Sequence, residues 1–158
     1  MRILIVSDSH GNLDALKRVV RKEQPDRIMH LGDYTRDAAA LAREFSSIPM
    51  DVVGGNCDAF DRRNPAPLEQ IITVEGNRIL LCHGHTFQVK NDLSALISHA
   101  LQENVRVCLF GHTHVTHMSE PATGLLLINP GSIGASMRRE YALLEITEDK
   151  LRCTLKTM

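Results

Sequence analysis

Apolar residues fall into two kinds of run along this chain. Short β-branched stretches end abruptly in Asp, Asn or His beside Gly, and longer stretches repeat at helical spacing. Ile3 to Val6 is the first short run, uninterrupted enough to read as a strand buried on both faces. It stops at Asp8-Ser9-His10-Gly11-Asn12, which turns the chain and places Asp8 and His10 at a strand end, where open α/β sheets hold ligands. Leu13, Leu16, Val19 and Val20 then mark an amphipathic helix that stops before Pro25. Arg27 to Leu31 reads as a second strand, closed by Gly32-Asp33, and strand, helix, strand favours parallel pairing. Asp37 to Phe45 is an alanine-rich helix, and Asp51 to Val53 a third strand running into Gly54-Gly55-Asn56-Cys57-Asp58.

The second half changes character. Ala59 to Leu68, with Pro65 and Pro67, is loop. Gln70 to Val74 and Arg78 to Cys82 flank a turn at Glu75-Gly76-Asn77 and predict a hairpin, whose second arm ends in His83-Gly84-His85. A helix is expected over Asp92 to Leu101 and a buried strand over Val105 to Phe110, ended by Gly111-His112-Thr113-His114. Residues 115–124 read as loop, Leu125 to Ile128 as a strand ended by Asn129-Pro130-Gly131-Ser132. Tyr141 to Ile146 and Leu151 to Leu155 make a closing hairpin. A βαβ half followed by hairpins predicts an α/β fold of two facing mixed sheets flanked by helices. With no repeat and no long linker, one domain over residues 1–158 is expected.

Composition narrows the function classes. The 43% hydrophobic and 23% charged fractions are ordinary for a globular protein, and a formal net charge of −1 argues against a dedicated nucleic-acid surface. The absence of Trp, with only two Tyr and four Phe, argues against a stacking platform for single strands. The four cysteines are scattered and form no disulfide framework or zinc knuckle. No apolar run approaches the ~20 residues that span a membrane, and a strand starts at once, leaving no room for a signal peptide. A cytoplasmic location is expected.

The chemistry collects at the strand ends, in Asp8, His10, Asp33, Asn56, His83, His112 and His114. Oxygen donors mixed with imidazole suit borderline divalent ions such as Mn²⁺, Fe²⁺, Zn²⁺ or Ni²⁺. Seven ligands exceed the four of a closed structural zinc site. They suit two ions sharing a carboxylate, the clamp used for in-line attack on phosphorus. Taken singly the pieces are weaker: Asp8-Ser9-His10 could be a turn with a capping Asp, Gly32-Asp33 a common turn pair, and Gly54-Gly55-Asn56 a plain loop. Two His-x-His pairs at strand ends have few structural uses. His30, inside a strand, reads as a packed core residue, and His99 and His117 as surface or helix histidines without a role.

In order and spacing, Asp8-Ser9-His10, Gly32-Asp33, Gly55-Asn56-Cys57-Asp58, His83-Gly84-His85 and Gly111-His112-Thr113-His114 together resemble the calcineurin-like metallophosphoesterase superfamily, from residue 3 to about residue 135. The small size, Gly-Asn-Cys-Asp and Asn-Pro-Gly-Ser resemble its small phosphodiesterase branch, which includes a retromer subunit. The resemblance implies that Asp8, His10 and His114 hold one metal, that Asn56, His83 and His112 hold the other, and that Asp33 bridges them. His83, the first residue after its strand, is taken as the ligand, leaving His85 behind it or facing substrate. Manganese is the expected ion, with nickel, zinc or iron(II) as alternatives.

The resemblance further implies a phosphodiesterase in which a metal-bridging hydroxide attacks phosphorus, with Asp33 and His112 in the catalytic set. Many members carry a His where this chain has Cys57. A thiol is a poor acid near pH 7, so substrates with activated leaving groups are favoured, and a metal-bound water or His85 supplies the proton instead. Cys57 as a small packing residue is the competing reading. Asn12 and Arg62 are candidate substrate contacts, as are Arg63, Arg138 and Arg139, and Asp58 is a candidate orienting or capping residue. The expected partner is a small phosphodiester, its specificity set by residues 59–69, 86–92 and 115–124. No membrane or stable nucleic-acid partner is expected, and self-association is plausible. The rival function is a non-catalytic scaffold like the retromer subunit. An exonuclease role ranks lower, for want of a capping domain and basic groove.

Overall fold

The computed structural model describes residues 1–135 and 137–158. In chain order the elements are β1 (Arg2–Val6), α1 (Leu13–Glu23), β2 (Arg27–His30), α2 (Thr35–Glu44), β3 (Met50–Val52), β4 (Glu69–Val74), β5 (Asn77–Cys82), α3 (Ser94–Gln102), β6 (Val107–Leu109), β7 (Thr116–Ala122), β8 (Leu125–Pro130), β9 (Glu140–Ile146) and β10 (Leu151–Thr157). Two five-stranded sheets form, in the orders β10-β9-β1-β2-β3 and β4-β5-β6-β8-β7. The middle of each is parallel, β1 with β2 and β3, and β5 with β6 and β8. β9 with β1 and β10, β4 with β5, and β7 with β8 pair antiparallel, while the edge strand β3 joins β2 in parallel.

Side-chain alternation explains the layering. On β1, Ile3 and Ile5 point between the sheets, where Met29, Leu31, Ile79, Leu81, Val107, Leu109 and Ile128 fill one core. Leu4 and Val6 point the other way, onto Leu16, Val19 and Val20 of α1 and Leu41 of α2. Leu80, Cys82, Cys108 and Phe110 do the same on the far sheet, against Leu96 and Ala100 of α3. Both faces of β1, β2, β5, β6 and β8 are therefore covered, which is why these strands read as apolar runs, while β3 at the sheet edge stays half-buried. Each fully buried Leu or Ile contributes about 1.5–3 kcal/mol relative to its exposed state.

The expected αββα sandwich is thus present, with local corrections. Residues 116–122, read as loop, form β7 on the sheet edge. Pro121 disguised it, yet an edge strand tolerates proline, and a register shift lies between Ser119 and Ala122. His117 accordingly sits on a strand, its ring near Phe110 and its Nε2 2.8 Å from Ser119 Oγ. The strand expected over 105–110 is shorter, since Val105 closes the turn after α3 by bonding to Ala100 O. Helix α2 begins at Thr35, ahead of its alanine run, because Asp58 Oδ1 accepts from Thr35 N at 2.8 Å. Among the described residues no helix is long and apolar enough to cross a membrane.

Candidate metal centre

All six parallel strands end on the same side, and the loops leaving β1, β2, β3, β5, β6 and β8 converge there. Asp8, His10, Asp33, His112 and His114 adopt positive φ, at 55°, 45°, 57°, 68° and 60°. Left-handed backbone costs a non-glycine residue about 1–3 kcal/mol in strained cases, so neighbouring structure must enforce it. Asp37, buried on α2, accepts from Ser9 Oγ at 2.7 Å and Gly11 N at 2.8 Å, which fixes the first loop. Ser132 Oγ donates to Asp8 O at 2.9 Å. Asn129 Nδ2 donates to Gly111 O at 2.9 Å and Thr113 Oγ1 at 3.0 Å, tying the end of β8 to the His112–His114 loop. Gly32, at φ +95°, admits no side chain, since a Cβ there would lie 2.7 Å from Gly55 N and 2.8 Å from His83 Nδ1.

On one side, Asp8, His10, Asp33 and His114 each offer a ligand atom, and these atoms lie within 4.8 Å of one another. His10 Nε2 faces His114 Nε2 at 3.2 Å. Asp8 Oδ2 is held by Ser7 Oγ at 2.6 Å and by His112 N at 3.1 Å. Its partner Oδ1 is buried with no hydrogen bond. Three imidazole nitrogens nevertheless approach that oxygen, His114 Nε2 at 3.1 Å and His10 and His83 Nε2 each at 3.9 Å. The His114 contact is close but lacks hydrogen-bond alignment.

On the other side, His83 Nδ1 lies 2.7 Å from Leu31 O. A carbonyl only accepts, so Nδ1 carries the proton, and in the neutral ring Nε2 presents a lone pair. That lone pair faces Asn56 Oδ1 at 3.2 Å, Asp33 Oδ1 at 3.4 Å and Asp8 Oδ1 at 3.9 Å. Acceptors aimed at one another need a positive centre among them, and the buried, unbonded Asp8 Oδ1 says the same. The donor set fits a divalent ion of borderline softness. Asp33 reaches both sides, since its Oδ2 is 3.7 Å from His10 Nε2. The His112 ring lies 5.0 Å from that of His83. The structure therefore brings all seven sequence-derived candidates together.

The local electrostatics are uneven. Burial, with His83 and Lys90 beside it, takes His112 down to about 4, against the pull of Asp8 and Asp33, which keeps its lone pair free near pH 7. Burial pushes the Asp8 carboxyl up, but contacts with His114, His83 and Ser7 outweigh it and leave the group below its usual range. The Asp8 contact in turn raises His114. Partial desolvation and the carboxylates of Asp33, Asp58 and Asp8 push Cys57 up to about 11. Burial and then His83 lower His85.

The remaining candidates are placed more loosely. His85 rings lie 5.4 Å from His83 and 6.1 Å from His112, and its buried Nδ1 has no partner. Cys57 follows Asn56, and its N–H donates to Asp33 Oδ1 at 2.9 Å. Asn12 Oδ1 caps α1 by accepting from Ala15 N at 3.2 Å. Arg62 is exposed over a recess lined by Gly54, Gly55 and Ala66. Arg138 pairs with Glu140 at 2.9 Å. Asp58 orients its neighbours, accepting from Thr35 N and from Gly55 N, each at 2.8 Å. His30 is fully buried between Ser9 Oγ and Gly32 N, each 3.3 Å away, and burial takes it down to about 4, as a packed core histidine. Sequence reasoning passed over Asp37, Ser7, Tyr34 and Lys90. Only Asp37 carried a signal, an acidic residue in the first turn of a helix.

Comparison with known proteins shows the family and the fold. Residues 1–149 match the family model for the calcineurin-like phosphoesterase superfamily domain. The chain is 35% identical over 155 residues to the probable metallophosphoesterase YsnB of Bacillus subtilis, covering 94% of this chain and 86% of that protein. It is 30% identical over 155 residues to the phosphodiesterase YfcE of Escherichia coli, covering 84% and 79% respectively. A crystal structure of a conserved protein from Streptococcus pneumoniae, described as a predicted phosphoesterase, superposes with a TM-score of 0.81 at 28% identity, over 99% of this chain and 88% of that one.

Proposed function

The chain belongs to the calcineurin-like phosphoesterase superfamily, and from that premise we propose that it is a metal-dependent phosphodiesterase working through a dinuclear centre. The observation that carries this reading is the set of oxygen acceptors around the His83 Nε2 lone pair, beside a second cluster that shares Asp33. Asp8, His10 and His114 would hold one divalent ion, Asn56, His83 and His112 the other, and Asp33 would face both. Manganese is the proposed ion, with nickel, zinc or iron(II) as alternatives. When bound, such ions act as Lewis acids toward phosphoryl oxygens and bring water to a reactive pKa.

The chain's own residues do the rest. Asp37, Ser132 and Asn129 hold the ligand loops in conformations they would not adopt alone. Cys57, with a thiol pushed up to about 11, stays protonated and is too weak an acid to serve an alkoxide leaving group well. A water held at the centre, or His85 beside His112, is the proposed donor to the departing oxygen. Burial and His83 lower His85 and leave it mostly neutral near pH 7, so leaving groups needing little protonation are favoured.

The test is hydrolysis of bis-p-nitrophenyl phosphate against p-nitrophenyl phosphate by chelator-stripped protein reloaded with Mn²⁺, Ni²⁺, Zn²⁺ or Mg²⁺. Metal-dependent cleavage that prefers the diester supports the proposal. A preference for the monoester overturns the diester assignment. Two bound ions with no turnover of either would replace it with the scaffold reading.

A further inference from the structure

A recess of about 590 Å³ opens beside the metal centre, and Tyr34, Arg36, Cys57, Phe60 and Arg63 line it. Two of these residues physically join it to the centre. Tyr34 follows Asp33 directly, and its ring stands edge-on to His10 with centroids 5.2 Å apart. Cys57 follows Asn56 and donates its N–H to Asp33. Anything seated here is one residue away from the proposed ligands.

The lining is chemically lopsided. Phe60 is 95% exposed, a large ring with nothing packed on it, at the mouth of a concavity rather than on a convex surface. The Arg36 guanidinium lies 4.3 Å over the Tyr34 ring, which fixes a cationic plane on an aromatic floor. Two carboxylates, Asp58 and Asp61, also line the recess and are held by neighbouring donors. Asp58 accepts from Thr35 N and Gly55 N, and Asp61 accepts from Arg63 N, Asn64 N and Asn64 Nδ2. Among the described residues neither Arg36 nor Arg63 makes an ion pair within 4.0 Å through its guanidinium. The recess thus offers the open Phe60 face and two guanidinium forks without a close ion pair, Arg36 lying near enough to Asp61 to add to Asn64 in lowering that carboxyl. This is the pairing that fits a nucleobase and a phosphate.

Building on the phosphodiesterase reading, we propose that this recess binds one arm of the substrate, and that the arm is a nucleoside carrying its own phosphate. Phe60 stacks the base, and Arg36, carried on the Tyr34 ring, and Arg63 hold the additional phosphate. A diester has two arms on one phosphorus, and the recess selects which diesters place that phosphorus on the centre. Arg62, named from the sequence, lines a neighbouring recess, so specificity shifts from Arg62 to Arg36, Phe60 and Arg63.

Three diesters with a common p-nitrophenol leaving group test this on the metal-loaded full chain: methyl p-nitrophenyl phosphate, thymidine 5′-p-nitrophenyl phosphate, and the latter bearing a 3′-phosphate. Stacking a base and pairing a phosphate are each expected to raise kcat/KM by about tenfold. Phe60→Ala should cut the thymidine-to-methyl ratio by about tenfold, and Arg36→Gln or Arg63→Gln the ratio of the 3′-phosphorylated to the plain thymidine diester, by a similar factor. All three side chains are exposed, so the fold is not at stake. Ratios unchanged by the substitutions overturn the recess while leaving the phosphodiesterase reading intact. If no diester is cleaved with any ion, calorimetric titration with thymidine 3′,5′-bisphosphate decides separately. Binding lost on Phe60→Ala sustains the recess without the enzyme, and absence of binding overturns it.

Discussion

His83 donates its Nδ1 proton to the Leu31 carbonyl oxygen at 2.7 Å, a bond that joins the strand end of β5 to that of β2 across the two sheets. It fixes the tautomer of the neutral ring, whose Nε2 lone pair then faces Asn56 and Asp33. His83→Ala removes both functions at once. Metal analysis by mass spectrometry should fall from about two ions per chain to about one. Thermal melting of stripped protein should show a loss of about 1–3 kcal/mol from the unpaired Leu31 carbonyl and the vacated space.

Asp33 is the residue both clusters share, with Oδ1 toward His83 and Oδ2 toward His10. Asp33→Asn keeps an oxygen for the Cys57 N–H bond, so the loop should survive while the charge is lost. Residues behind a metal ligand already cost about 10–100-fold in affinity or activity when changed, so loss of a shared ligand should cost at least about 100-fold. Metal titration and turnover measured together check this, and unchanged values for both would remove Asp33 from the centre.

The two clusters were legible because buried parallel strands must be apolar on both faces. Asp8, Asp33, His83 and His112 therefore stand out where those runs stop. The supporting residues were not legible, for a physical reason. Asp37 and Ser132 act on the Ser9 hydroxyl, the Gly11 N–H and the Asp8 carbonyl from positions 26 to 124 residues away in sequence, and nothing local marks such a bond. Non-glycine left-handed residues such as His10 and His114 carry no sequence mark either, since tertiary contacts impose them. Strand β7 was hidden by Pro121, whose missing N–H matters only if the strand is central.

Asp37 makes the positioning role measurable. Asp37→Ala leaves the donors Ser9 Oγ and Gly11 N without their acceptor next to His10. The expected cost is about 1–3 kcal/mol of stability and about 10–100-fold in metal affinity. Asp37→Asn keeps one acceptor oxygen and should recover most of the affinity, which a purely electrostatic role would not allow. Competition with a chromogenic chelator reads both variants.

Cys57 sets the leaving-group dependence. A thiol pushed up to about 11 donates its proton reluctantly at neutral pH, so rates on aryl diesters should fall steeply as the leaving phenol becomes less acidic. Cys57→His introduces a better acid at an exposed position. It should raise turnover of the poorest leaving groups by about tenfold or more, with little gain on p-nitrophenyl esters. A series of substituted phenyl diesters measures the two slopes, and parallel slopes would assign the proton to another group such as His85.

Away from the centre, Glu23 governs acid stability. Its carboxylate, nearly buried at the end of α1, accepts from Tyr141 OH at 2.6 Å, Arg2 at 2.5 Å and Lys156 at 3.1 Å, binding α1 to β1, β9 and β10. Burial raises its pKa, but Tyr141, Lys156 and Arg2 outweigh that and hold it below the ordinary 4.5. A depressed folded pKa contributes stability that is present above the unfolded value and lost as pH falls through the folded one. Glu23→Gln should therefore be less stable than the parent at pH 7, by about 1–3 kcal/mol after allowing for the partly exposed Arg2 and Lys156. The gap should shrink as pH is taken from 7 to well below the ordinary 4.5. Urea denaturation of metal-free protein at both pH values checks the sign, and a gap that widens in acid would mean that Glu23 enters the fold protonated.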